Sequence, residues 1–258
     1  MAAQKIIRIG RVTDVPFRCL EKSRREISTL RLVIYILLLL PAQELERHEF
    51  TQFCRSYSQD RDWLAQVAEF ESQYRPDEAI QWYTRPSGFP SKMINTICRT
   101  QNPTLISKIR YFLKHIHEQS TQLYIESLVW MPNFVTVYRG QNFSSKDFKR
   151  LVRNRGKKIF TTTPLSTTSS SEVAATFSGS NSSLNKPSKN IISVIFKIQI
   201  QTQTARSKPF AYIQEYSHIK DEKEILISIS TIFSFVDMRE LGVSLSKPFI
   251  KKMKNIIS

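Results

Sequence analysis

The period of the apolar residues changes once along this chain, near Pro132, and that single change limits the folds open to it. Before it the spacing is helical. Trp63, Leu64, Val67, Phe70 and Tyr74 fall at i, i+1, i+4, i+7 and i+11, with Asp60 or Ser58 placed to cap the first turn. Asn102-Pro103 opens the clearest helix. Asn caps it, Pro takes the first turn where its missing N–H costs nothing, and Leu105, Ile106, Ile109, Phe112, Leu113 and Ile116 make the buried stripe. Ser91 reads as the cap of a shorter segment with Met93, Ile94, Ile97 and Cys98 on one side. After Pro132 the period becomes two. Phe134 to Tyr138 alternates, and Ile192, Val194, Phe196, Ile198 and Ile200 alternate with polar neighbours, as a half-buried strand does. Helices gathered ahead of strands belong to an α+β architecture.

This order divides the chain into four parts. Residues 1–31 are a basic leader without a convincing period and stay unassigned. Residues 32–133 are a helical N-terminal portion, 134–243 a β-rich core, and 244–258 a basic tail with four lysines and no acid. The apolar run Leu32 to Leu40 is too short to span a bilayer and reads as a buried helix or strand. Within the β-rich part, Ser144 with Asp147 and Ser169 with Glu172 have the spacing of capping boxes. Gly179 to Asn190 reads as a surface loop, and Pro164 marks an edge or a bulge. Further strands are expected at Phe210 to Ile213 and from Ile229 to Val236.

Charge and cysteine content narrow the function. Against 22 acidic residues stand 38 basic ones, a net charge of +16. The excess is spread along the chain, which favours general anion steering over a polynucleotide-binding tract. Cys19, Cys54 and Cys98 are odd in number and far apart, with no C-x-x-C, and His115 and His117 point to different sides of a helix. Neither a disulfide framework nor a metal site is expected. Idle thiols and the lack of a clear signal peptide lean towards an intracellular compartment.

The stretch Asp221 to Ser228 carries the chemistry. Read as a strand, it puts Glu222, Glu224, Leu226 and Ser228 on one face and Lys223, Ile225 and Ile227 on the other. Two carboxylates then stand about 7 Å apart on a rigid element, where each raises the other's pKa. Such pairs serve glycosyl chemistry.

Three features lie in order: an arginine closing a strand (VYRGQ), a serine opening LSTTSSSEVAATFSG, and Glu-x-Glu (DEKEILIS). Together they resemble the R-S-E group of mono-ADP-ribosyltransferases, the arginine-modifying kind that carries Glu-x-Glu. WYTR, RYFLKHIH and KPFAYIQEYSHIKDEKEIL extend the resemblance over roughly residues 44–240. It implies a helical N-terminal portion packed on a split, mainly antiparallel β core that binds NAD in a cleft, without a metal. It also implies transfer of ADP-ribose from NAD to arginine side chains of target proteins.

By that resemblance Glu224 stabilises an oxocarbenium-like centre at the ribose, and Glu222 orients and helps deprotonate the guanidinium. Ser166 fixes Glu224 and the ribose. Arg139 grips a phosphate oxygen, Gly140 binds nicotinamide through its backbone, and Phe177 stacks near it. Tyr212 and Tyr216, in the loop from Lys208 to Asp221, are candidates for contact with the target. Ser166-Thr167-Thr168 stands where the family has Ser-Thr-Ser, and the Ser87–Pro90 turn also departs from its pattern. Two alternatives stay open: an NAD glycohydrolase using the same cleft, and an inactive basic interaction module.

Overall fold

A computed structural model describes residues 16–19, 24–41, 44–178, 191–202, 210–240 and 249–255. The surface loop expected at 179–190 lies outside the described residues. The architecture is α+β, a helical layer against a mainly antiparallel sheet.

Helices α1 (Arg24–Leu39), α2 (Glu44–Tyr57), α3 (Arg61–Gln73), α4 (Ala79–Tyr83), α5 (Ser91–Thr100), α6 (Pro103–Lys108) and α7 (Arg110–Ser127) form the N-terminal layer. Their stripes meet in one cluster around Phe50, Phe70, Trp82, Phe89 and Phe112, with the Phe70 and Trp82 rings 5.1 Å apart, edge to face. Asp60 accepts from the Trp63 N–H and Asn102 from Thr104 and Leu105, so both caps stand where their side chains demand them.

Two helix readings are corrected. The helix expected to run unbroken from Pro103 breaks at buried Ile109, which leaves helical ψ (φ −104°, ψ 4°) and redirects the chain. The apolar period survives because both pieces face one core. Ser91 is not a cap; its hydroxyl donates to the Gly88 carbonyl, and Pro90 holds the cap position.

Helix α1 shows how the run 32–40 is seated. Ile34 and Leu38 are buried, while Leu32, Tyr35, Ile36 and Leu39 are exposed. Arg110 donates to the carbonyls of Leu37, Leu40 and Pro41 and pairs with Glu46, and Lys114 donates to the Leu38 carbonyl. Two cations from α7 thus satisfy orphan carbonyls of the α1 C-terminus, those of Leu37, Leu38 and Leu40. No described helix is long and apolar enough to cross a membrane.

The strands are β1 (Phe17–Cys19), β2 (Phe134–Ser144), β3 (Lys158–Thr161), β4 (Leu165–Thr168), β5 (Ile191–Gln201), β6 (Phe210–Tyr212), β7 (Glu224–Ile227), β8 (Ile232–Glu240) and β9 (Phe249–Asn255). Their order is β1-β3-β8-β9-β5-β2-β4-β7-β6, and only β5 and β9 run parallel. β2 and β4 share a single paired position, Tyr138 opposite Thr168, so the sheet is split there. Helices α8 (Ser145–Val152) and α9 (Ser171–Phe177) follow β2 and β4.

Four readings of the β part are corrected. The leader contributes β1, paired with β3, and α1 crosses residue 31. The basic tail contributes β9, a central strand between β5 and β8. Its sequence FIKKMKN hides a strand behind its charge. The last expected strand starts at Ile232, later than its apolar run. Ser170, not Ser169, caps α9, its hydroxyl accepting from the Val173 N–H, while the Ser169 N–H donates to the Lys223 carbonyl across the sheet.

β7 is a wall between two cores. Leu226 belongs to the helical cluster, while Ile225 and Ile227 belong to the cluster of the sheet with Val137, Phe196 and Ile198. All four β7 residues are buried. A strand packed on both faces cannot tilt or slip without opening one core.

Candidate active site

A cleft of about 330 Å³ lies where the sheet splits, lined by Arg139, Gly140, Ser166, Phe177, Glu222 and Glu224 together with Tyr138, Gln141, Asn142, Thr167 and Thr168. Six of the eight residues singled out from the sequence thus meet at one site. Tyr212 and Tyr216 do not line it. Tyr212 packs on Trp130 with ring centroids 4.8 Å apart, and its register partner is Ile225, the face of β7 turned away from Glu224. Tyr216 is exposed on the loop that leads to Glu222.

Glu224 opens β7 and is 5% exposed. Both its oxygens are held: Ser166 Oγ donates to Oε1 at 2.5 Å and Ser217 Oγ to Oε2 at 2.7 Å. Ser166 reaches it because β4 and β7 pair antiparallel, with Thr168 opposite Glu224 and Ser166 opposite Leu226 on the same face.

Glu222 departs from its expected place. It ends a 3-10 turn (Lys220–Glu222), and Lys223 then takes a left-handed conformation (φ 46°, ψ 50°) that turns the chain into the strand. Strand alternation therefore does not relate the two glutamates, although both reach the cleft. A non-glycine residue in that conformation costs about 1–2 kcal/mol and is held by its surroundings. Thr168 is one of those restraints, its hydroxyl donating to the Glu222 carbonyl at 2.7 Å. The Thr168 methyl group is accommodated in a buried position. Burial, and then the charge of Glu224, hold the Glu222 carboxyl above the usual carboxylate range.

Arg139 bridges the split. Its Nη1 donates to the Ser166 carbonyl at 2.6 Å, while its buried Nε–H has no hydrogen-bond partner. Burial depresses its pKa, with Tyr83 and Glu224 acting in opposition, so it remains a cation with a donor to spare. Gly140 lines the cleft and also meets a packing demand. A Cβ there would sit 1.7 Å from the Ala174 carbonyl oxygen, so the missing side chain lets α9 lie against β2. Phe177, at the end of α9, is 56% exposed and faces the cleft, which removes it from the core.

The WYTR segment joins the helical layer to both sides of this site. Trp82 is buried in the helical cluster, and the Arg85 guanidinium lies 3.4 Å over its ring. The Tyr83 hydroxyl reaches Asn95 Oδ1 (3.0 Å) and the Pro164 carbonyl (3.2 Å) just before β4. Thr84 Oγ1 accepts from the His218 N–H at 2.9 Å. WYTR and the stretch holding Ser217 stood out in the sequence only as parts of the resemblance, and nothing there pointed to Ser217 itself or to these contacts.

No protein-family model and no curated protein matches the sequence. Solved structures do match the fold. The ADP-ribosyltransferase HopU1 of Pseudomonas syringae pv. Tomato DC3000 superposes with a TM-score of 0.52 at 17% identity, over 83% of this chain and 99% of that one. The type III effector XopAI from Xanthomonas axonopodis pv. citri gives 0.51 at 11% identity, over 93% and 95%. The fold is that of the ADP-ribosyltransferases.

Proposed function

We propose that this protein transfers ADP-ribose from NAD to arginine side chains of target proteins and releases nicotinamide. The observation that carries the reading is Glu224, buried at the cleft with both oxygens held by serines and with Glu222 and Arg139 beside it. Cleaving the bond between nicotinamide and ribose sends its electron pair to the ring nitrogen and leaves positive charge on the sugar. A carboxylate fixed in advance stabilises that charge without reorganising. The Arg139 guanidinium, a cation lining the cleft, suits a phosphate oxygen, and the exposed face of Phe177 suits the nicotinamide ring. The cleft volume lies within the range of small-molecule sites.

An arginine acceptor must lose a proton as its nitrogen bonds to the ribose carbon, with inversion there. Glu222, a carboxylate with a raised pKa, is a stronger base than an ordinary glutamate and takes that proton. Incubating the full chain with labelled NAD and a small guanidine acceptor tests the reading. Nicotinamide and a guanidine adduct are expected together. Nicotinamide with free ADP-ribose alone would identify a glycohydrolase, and no nicotinamide at all would overturn the enzyme reading. Polynucleotide binding that falls steeply with salt, without NAD turnover, would identify a basic interaction module.

A further inference from the structure

We infer that Ser217 is a positioning residue that pins the plane of the Glu224 carboxylate and ties it to the loop between β6 and β7. The inference rests on the transferase reading above. Within the exposed run from Gln214 to Asp221, Ser217 alone is buried. Its hydroxyl donates to Glu224 Oε2 at 2.7 Å and accepts from the Ile219 N–H at 3.4 Å. The loop around it is closed by its backbone. Ser217 N–H donates to the Ile213 carbonyl at 2.7 Å, and Ile213 N–H to the Glu224 carbonyl at 3.1 Å. One residue further, His218 N–H is fastened to Thr84. The serine therefore belongs to a braced turn with anchors on β7 and at the end of α4.

One donor does not fix a carboxylate. The last torsion of a glutamate is broad and two-fold, so with Ser166 alone the group turns about its own axis. A second donor, from a different element and on the other oxygen, removes that freedom. Ser166 comes from β4 and Ser217 from the loop, so the carboxylate plane is set by two elements at once. Exposed Tyr216 and His218 flank Ser217, so a target seated against them bears on the neighbours of the residue that holds Glu224.

The test uses S217A and S217T in the full chain, with nicotinamide release followed with and without a guanidine acceptor. In S217A, kcat for transfer and for hydrolysis should fall together, by roughly tenfold or more, as expected for a lost hydrogen bond to a charged group. KM for NAD should stay within about twofold, and S217T should recover most of the rate. If Ser217 merely shapes the loop, S217A will raise the acceptor KM and leave hydrolysis intact, which would overturn the inference alone. Should S217A fail to fold, S217T is expected to stay near wild type and S217C, whose thiol is the weaker donor, to fall well below it; equal rates in S217T and S217C would overturn the inference. A wild-type chain that releases no nicotinamide would overturn the functional reading and this inference with it.

Discussion

Strand β7 and the turn that feeds it treat their glutamates differently. Glu224 sits on a strand buried on both faces and is held by two hydroxyls. Glu222 sits two residues earlier on a 3-10 turn, keeps part of its surface, and is tied to the sheet through its backbone carbonyl. The fixed group suits a charge that develops at one point, where preorganised partners are worth most. The less constrained group suits an acceptor that arrives on another protein and must be met where it lands. Rigidity and adjustability are thus separated by one left-handed residue, Lys223.

The largest effect expected from this division belongs to the strand. Glu224→Gln should lower nicotinamide release by about 100-fold or more, in transfer and hydrolysis alike. A residual rate within tenfold of wild type would remove Glu224 from the chemistry. The turn should behave selectively. Glu222→Gln should lower transfer to a guanidine by about 10- to 100-fold and leave hydrolysis within about threefold. A base must be ionised to act, so the ratio of transfer to hydrolysis should climb as pH rises through the raised Glu222 pKa. The same ratio should be flat with pH in Glu222→Gln. A parallel fall of both reactions would erase the distinction between strand and turn.

Much of this site was legible because its residues carry local signals. Asp60 and Asn102 cap helices by chemistry that acts within three residues, and the alternation of β5 records its buried face. Arg139, Ser166 and Glu224 were recognisable as ordered motifs, and the cleft collects them. What stayed hidden depends on distant pairing. β9 acquires its strand from β5 and β8, not from its lysines, and Gly140 answers to α9, a helix more than thirty residues on. Ser217 looks like any loop serine until the chain returns through Glu224. The offset of Glu222 was hidden for a related reason: a two-residue period is silent about where a strand begins, and Lys223 broke the alternation.

Thr168 tests what keeps the turn beside the strand. Its Oγ1 donates to the Glu222 carbonyl and accepts from the Ser170 N–H. Thr168→Val keeps the shape and removes both bonds, leaving a carbonyl and an N–H to find other partners. A loss of about 1–3 kcal/mol of stability is expected, with transfer reduced more than hydrolysis. Thr168→Ser should stay within about twofold of wild type in both reactions, because the hydroxyl alone does the tethering. A loss in Thr168→Ser with Thr168→Val left intact would assign the effect to the methyl group and to packing.

The smallest effect separates the two causes of the raised Glu222 pKa, burial first and the Glu224 charge second. In Glu224→Gln the charge is gone and the burial remains. The Glu222 carboxyl, followed by carbon-13 NMR, should therefore titrate lower than in wild type and still above the ordinary carboxylate range. A return all the way to that range would mean that the turn is as well hydrated as a free peptide and that charge alone sets its basicity. Stability should report the same asymmetry. A carboxyl with a raised pKa in the folded state loses stability as pH climbs through that pKa, and loses none below its unfolded value. Glu222→Gln should accordingly raise the melting temperature slightly at neutral pH, and the gain should vanish in acid below the ordinary carboxylate range. A gain that persists in acid would have to come from packing, since both side chains are then uncharged.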